Sequence, residues 1–197
     1  MRHELSISEA IGGGFFSEGM TGGRFKELFD GLRLRPDDEL LVRLNSPGGD
    51  VWDGMQIYNT IKSHPGPKII QIDGAALSAA SFVAMAGDTI RMSQAAMMMV
   101  HNPWSIAMGD ADAMRKEAEI LDKHRDAVVP LYVKQTGKRP EKIMELLNDE
   151  TWMTAEDALK LHFIDEIGTT EATPGAVQRG SEEESEAALA LMLKLKM

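Results

Sequence analysis

The chain of 197 residues contains no cysteine. This excludes disulfides, thiolate catalysis and cysteine-ligated zinc, and it leaves an oxygen or an amine as the only covalent nucleophile; a reducing compartment is permitted. Clusters of Lys and Arg are also missing. With 21 basic against 31 acidic residues, a net charge of -10 and a pI near 5.0, the chain argues against nucleic acid or an anionic membrane as a partner, because both reward basic patches. No apolar run approaches the roughly 18 residues of a membrane span, and the opening "MRHELSISEAIGGG" lacks the hydrophobic stretch of a secretory signal. The expected location is therefore cytoplasmic. No repeat of solenoid length is visible. What is present, 43% hydrophobic and 26% charged residues, is the balance of a soluble globular protein with one domain and a tail.

Residues 4 to 11 alternate loosely and predict a first strand, followed by a flexible "GGGFFSEG". "TGGRFKELFDGLRL" spaces Phe25, Leu28, Phe29 and Leu32 as a helix does. "PDDELLVRLNSPGG" predicts turn, strand and glycine turn; "DGMQIYNTIKSHPGP" a helix with a Pro/Gly stop; "KIIQIDG" a short strand. "GAALSAASFVAMAG" then predicts a helix ending at Gly87, and "DTIRMSQAAMMMVHNP" two short strands. This alternation is that of an α/β fold of repeated βαβ units. Three amphipathic helices follow from about residue 110, an added layer or arm, the last opened by "TAED" with a capping-box spacing. The folded unit is expected to be residues 1–168; residues 169–197 are expected to be an acidic linker and tail, mobile over 169–183, with a short helix near the end.

Four windows carry polar groups that packing does not require. In "LNSPGG" adjacent glycines after a strand free backbone N–H groups to face a ligand, although a tight turn has the same composition. In "GAALSAAS" Ser78 opens an apolar helix, where free N–H groups suit a nucleophile whose product is an oxyanion. Ser81, one turn on, is expected to bond back to a helix carbonyl. His101 follows an apolar strand and precedes Asn-Pro, at a strand end where loops often hold catalytic groups; His3, His64, His124 and His162 have no such setting. In "NDETW" the acids Asp149 and Glu150 read equally as N-terminal helix acids or as a group that orients His101.

In this order the windows resemble the proteolytic subunit of Clp protease, ClpP. "LNSPGGDVWDGMQIYNTI" matches the family's strand, "NSPGG" and helix; "GAALSAASFVAMAG" its serine elbow; "VHNP" its His-x-Pro strand end; "TAEDALKLHFID" its late helix. The likeness runs from roughly Ile11 to Ile167. It implies a ClpP/crotonase-like fold, with Ser78 as nucleophile, His101 as general base and the amides of Gly49 and Ala79 as oxyanion hole. Counting four back from Thr154 places the acid at Glu150, where the family more usually has Asp; Asp149 is one residue off. His162 stands where the family usually ends the helix with Gly.

The resemblance implies a serine endopeptidase with no cofactor and no metal. The implied partners are an unfolded or peptide substrate, further copies in a homo-oligomeric ring and an ATPase unfoldase. "HNPW", "ETWMTAEDAL" and the acidic tail resemble most the branch that matures phage heads, where scaffold or capsid protein is the substrate and the location is the host cytoplasm. Two alternatives keep the fold and change the function: a catalytically inactive ring subunit or scaffold, and a crotonase-type acyl-CoA enzyme, which uses the same pair of amides but needs no Ser and His pair. A Ser/Lys peptidase is disfavoured because no Lys occupies the place of His101.

Overall fold

The computed structural model describes residues 1–13 and 19–169. Thirteen elements appear among them in the order β1 (Arg2–Ile7), α1 (Gly22–Gly31), β2 (Glu39–Ser46), α2 (Val51–Ser63), β3 (Lys68–Leu77), α3 (Ala79–Ala84), β4 (Thr89–Met92), β5 (Met97–Val100), α4 (Ala111–Thr136), α5 (Pro140–Asn148), β6 (Thr151–Met153), α6 (Ala155–Lys160) and β7 (Glu166–Ile167). The strands form one sheet in the order β1-β2-β3-β4-β7, and every pairing along this path is parallel. The expected α/β fold of βαβ crossovers is therefore observed. A parallel sheet needs its connections to cross over its faces, and α1, α2 and α3 lie in the connections from β1 to β2, β2 to β3 and β3 to β4.

β3 is the branching strand. Ile69–Ile72 pair with β4, whereas Ala75–Leu77 pair with β5, so the sheet divides at its centre. β6 then adds antiparallel to β5. Buried Leu40, Val42 and Leu44 of β2, Ile70 and Ile72 of β3 and Ile57 of α2 fill the core, as near-continuous apolar strands do when both faces of a sheet are covered.

Two helices meet closely because α1 begins with glycine. A Cβ on Gly22 would lie 2.4 Å from Gln56 Oε1, and Gly22 N–H donates to Asp53 Oδ1 at 2.7 Å. The second half of α4 packs through Val128, Val129, Tyr132 and Thr136, while Ala111–Ala127 supply no buried residue. The first four turns thus project as the expected helical arm.

Three expectations are corrected. β3 does not end at Gly74 but runs to Leu77; the glycine is there because a Cβ would meet Asn45 Oδ1 at 2.6 Å. α3 stops at Ala84 with Met85 as its cap, so Gly87 is not its terminating residue; it lies where a Cβ would press Ile70 Cγ1 and Thr89 O at 2.9 Å. The first strand ends at Ile7, and Ile11 forms isolated bridges to Met20 and Gly49 instead. Most of the predicted "GGGFFSEG" linker, and all but Thr169 of the tail, lie outside the described residues.

Candidate active site

Ser78 stands between β3 and α3 with φ 52° and ψ -123°, a conformation that L residues rarely adopt. Such strain persists only where the surroundings hold it, and it is concentrated at functional positions. Three contacts hold it here. Ser78 N–H donates to Met99 O at 2.9 Å, anchoring the turn to β5. Ser78 O accepts from Ser81 N–H at 2.9 Å and from Ser81 Oγ at 2.6 Å. Ser78 Oγ makes no capping bond to its own helix; it lies 2.7 Å from His101 Nε2.

His101 follows directly after β5, the strand that pairs with the end of β3, which is why residues 23 apart in sequence meet. The next residue fixes the loop: Asn102 N–H donates to Leu147 O at 3.2 Å, and Asn102 Nδ2 to Asn148 Oδ1 at 2.8 Å. Burial pushes the His101 imidazole below the ordinary value of 6.5, against an opposing pull from the Glu150 carboxylate. At neutral pH the ring is therefore uncharged and able to accept a proton from Ser78.

Glu150 Oε2 lies 4.0 Å from His101 Nδ1, longer than a hydrogen bond, and the Glu150 side chain is 60% exposed. Its other oxygen accepts from Trp152 Nε1 at 3.3 Å. The two acids do not precede a helix, as one sequence reading has it. Asp149 caps the C-terminus of α5 and Glu150 follows at φ 47°. A helix C-terminus disfavours negative charge, and a left-handed backbone disfavours Glu. Neither local electrostatics nor local backbone favours Glu at 150, and its side chain approaches the His101 imidazole and the Trp152 indole. Asp149 makes no hydrogen bond or ion pair with His101.

Gly48 packs against the serine turn and Gly49 against Ile11. A Cβ on Gly48 would lie 2.3 Å from Leu77 O and 2.8 Å from both Ala79 N and Ser78 Cβ; one on Gly49 would lie 2.1 Å from Ile11 O. Their φ values of 86° and 144° are likewise glycine conformations. Ile11 N–H donates to Gly48 O and Asp50 N–H to Ile11 O, clamping the loop from both sides. The Gly49 N–H meets no acceptor among the described residues, and that of Ala79, first in α3, has no intrahelical partner. An elbow serine, a neutral histidine and two unused amides are the parts an acyl-transfer centre needs.

The family model for Clp protease matches residues 26–171. The chain belongs to the Clp protease family. This Clp-family chain is 30% identical over 167 residues to ATP-dependent Clp protease proteolytic subunit 1 of Protochlamydia amoebophila, covering 83% of the chain and 79% of that protein. It is 31% identical over 134 residues to the ATP-dependent Clp protease proteolytic subunit of Deinococcus radiodurans, covering 67% and 66%. Membership makes the chain a peptidase by family.

Around the centre, His101, Asn102, Pro103, Trp104, Leu147 and Glu150 line a cleft of about 420 Å³. Sequence reading missed two members of this Clp-family site. Asn102 appeared only as part of a motif. Tyr132, 2% exposed, reaches Ser81 Oγ at 2.7 Å from α4; in the helical stretch "VPLYV" a tyrosine carries no local mark of such a contact.

Proposed function

We propose that the chain is a serine endopeptidase in which Ser78 attacks the peptide carbonyl and His101 takes its proton. The observation that carries this reading is the 2.7 Å approach of Ser78 Oγ to His101 Nε2. Glu150 favours the Nδ1–H tautomer and stabilises the imidazolium that forms. The amides of Gly49 and Ala79 receive the negative charge that develops on the carbonyl oxygen. His101 then returns the proton to the leaving amine, and water attacks the acyl-enzyme by the same route in reverse. Water and the peptide are the only reactants this route consumes.

Substrate binding follows from the same frame. The chain leaving the "SPGG" turn enters α2 at once with Asp50 as its N-cap, so it is not the extended edge that a peptide could join as an added strand, and the peptide is held instead at the Gly49 and Ala79 amides and in the cleft beside His101. Trp104, Ile106 and Met108 are exposed at 70%, 86% and 92%, an apolar display that favours assembly into a homo-oligomeric ring. In that assembly an ATPase unfoldase delivers the substrate or, in the phage-maturation variant of the reading, a scaffold or capsid protein is itself the substrate.

One observation favours a second reading. The 4.0 Å separation of Glu150 from His101 and the exposure of Glu150 suit an inactive ring subunit that retains the fold. Hydrolysis of a dye-quenched unfolded protein by the full chain, beside Ser78→Ala and His101→Ala, separates the two. Turnover lost in both variants supports the protease; no turnover by an assembled wild type supports the scaffold.

A further inference from the structure

Ser81 is fully buried and its single proton is committed, since Oγ donates to Ser78 O at 2.6 Å. A hydroxyl has one O–H to donate. The contact of 2.7 Å between Ser81 Oγ and Tyr132 Oη therefore has the tyrosine as donor. A chain of hydrogen bonds thus runs in one direction, from Tyr132 on α4 through Ser81 on α3 to the carbonyl of Ser78. Burial also pushes the phenol upward, away from ionisation, which keeps the donor in place.

The acceptor at the end of this chain belongs to the peptide unit Ser78–Ala79. In a trans peptide the C=O and N–H point in opposite directions from one rigid plane. Fixing Ser78 O toward the protein interior, by Ser81 N–H and Oγ together, fixes Ala79 N–H toward Gly48 and the open side of the site. The peptide unit follows a strained Ser78 at φ 52°, so its direction is not one the local backbone would hold unaided.

We propose that Tyr132 and Ser81 are positioning residues that aim the Ala79 amide at the oxyanion, so that the inner half of α4 tunes the reactivity of Ser78. The inference rests on the serine-hydrolase reading of the site and adds to it a relay from outside the triad. Neither residue touches the reacting atoms. Their effect is on the transition state, where the amide acts, and not on peptide binding.

The test is the rate of phosphonylation by a fluorophosphonate, with kcat and KM for a fluorogenic peptide, in the assembled full chain and in Tyr132→Phe, Ser81→Ala and the double variant. Removing an oxyanion donor outright typically costs about 10²–10³; misdirecting one is expected to slow labelling and kcat about tenfold, with KM and the acid limb of the pH profile unchanged. The double variant is expected to match Ser81→Ala, because Tyr132 acts only through Ser81. Tyr132→Phe removes one oxygen and carries the test alone if Ser81→Ala does not fold. Wild-type rates in the folded variants overturn the inference and leave the hydrolase reading intact. A matching rise in KM, or a shifted acid limb, marks general loosening and also overturns it. An assembled wild type that never labels overturns both.

Discussion

The Glu150 carboxylate approaches Nδ1 of His101 from a residue held in the left-handed conformation at the end of α5. Thr151 supports that placement, its hydroxyl donating to Leu146 O at 2.7 Å where the helix end needs a partner. An acid in this position is disfavoured by the left-handed backbone and the helix end, and it approaches both His101 and the Trp152 indole. Glu150→Gln is accordingly expected to lower kcat by about 10², less than the roughly 10⁴ known for a buried triad acid, because Glu150 is exposed. Asp149→Asn is expected to stay within about twofold of wild type, since it removes no contact to the imidazole. Steady-state peptide hydrolysis by both variants checks the assignment.

The pH profile reads the same pair. A base works only when neutral, so kcat/KM is present above the His101 pKa and lost as pH falls through it. Burial places that limb below the ordinary 6.5, while Glu150 pulls it back upward. Removing the carboxylate in Glu150→Gln is expected to move the limb further down. A limb above 6.5 in wild type, or an upward move in the variant, contradicts the electrostatics.

Gly48 is confined both by φ 86° and by Leu77 O at 2.3 Å from where a Cβ would sit. Gly48→Ala is expected to displace the loop from the Ser78 turn and to reduce kcat by about 10² or more through the misplaced Gly49 amide. Thermal unfolding is expected to show a loss of about 1–3 kcal/mol from the strained backbone. Calorimetry and peptide turnover on one preparation measure both effects.

His162 offers the opposite case. α6 ends in a Schellman arrangement, with His162 N–H donating to Leu159 O at 3.0 Å and Phe163 N–H to Ala158 O at 2.8 Å. His162 occupies the left-handed position at φ 62° that glycine fills most readily. His162→Gly is expected to stabilise the chain by about 0.5–1 kcal/mol, a Tm gain of a few degrees, without change in turnover.

Much of the fold is legible because its strands are apolar runs closed by glycine or proline, and because "TAED" forms the capping box it spells, Thr154 and Asp157 bonding reciprocally. Ser78 and His101 were identifiable from the turns around them. β6 and β7, with three and two residues, are too short to display a period. Gly74 read as a strand end because composition cannot distinguish a turn glycine from one that admits a neighbouring side chain. Sequence alone puts the acids at 149 and 150 at the wrong kind of helix end, since only β6 between α5 and α6 reveals which helix they belong to. Tyr132 was invisible for a related reason: its function arises from a partner 51 positions away.

The central claim is that Ser78, activated by His101, is the nucleophile. Intact-mass analysis after exhaustive fluorophosphonate treatment of the assembled chain tests it most directly. Wild type and Ser81→Ala are expected to gain one adduct, mapped to Ser78, while Ser78→Ala and His101→Ala remain unmodified. An adduct that persists in Ser78→Ala, or an assembled wild type that gains none, contradicts the account.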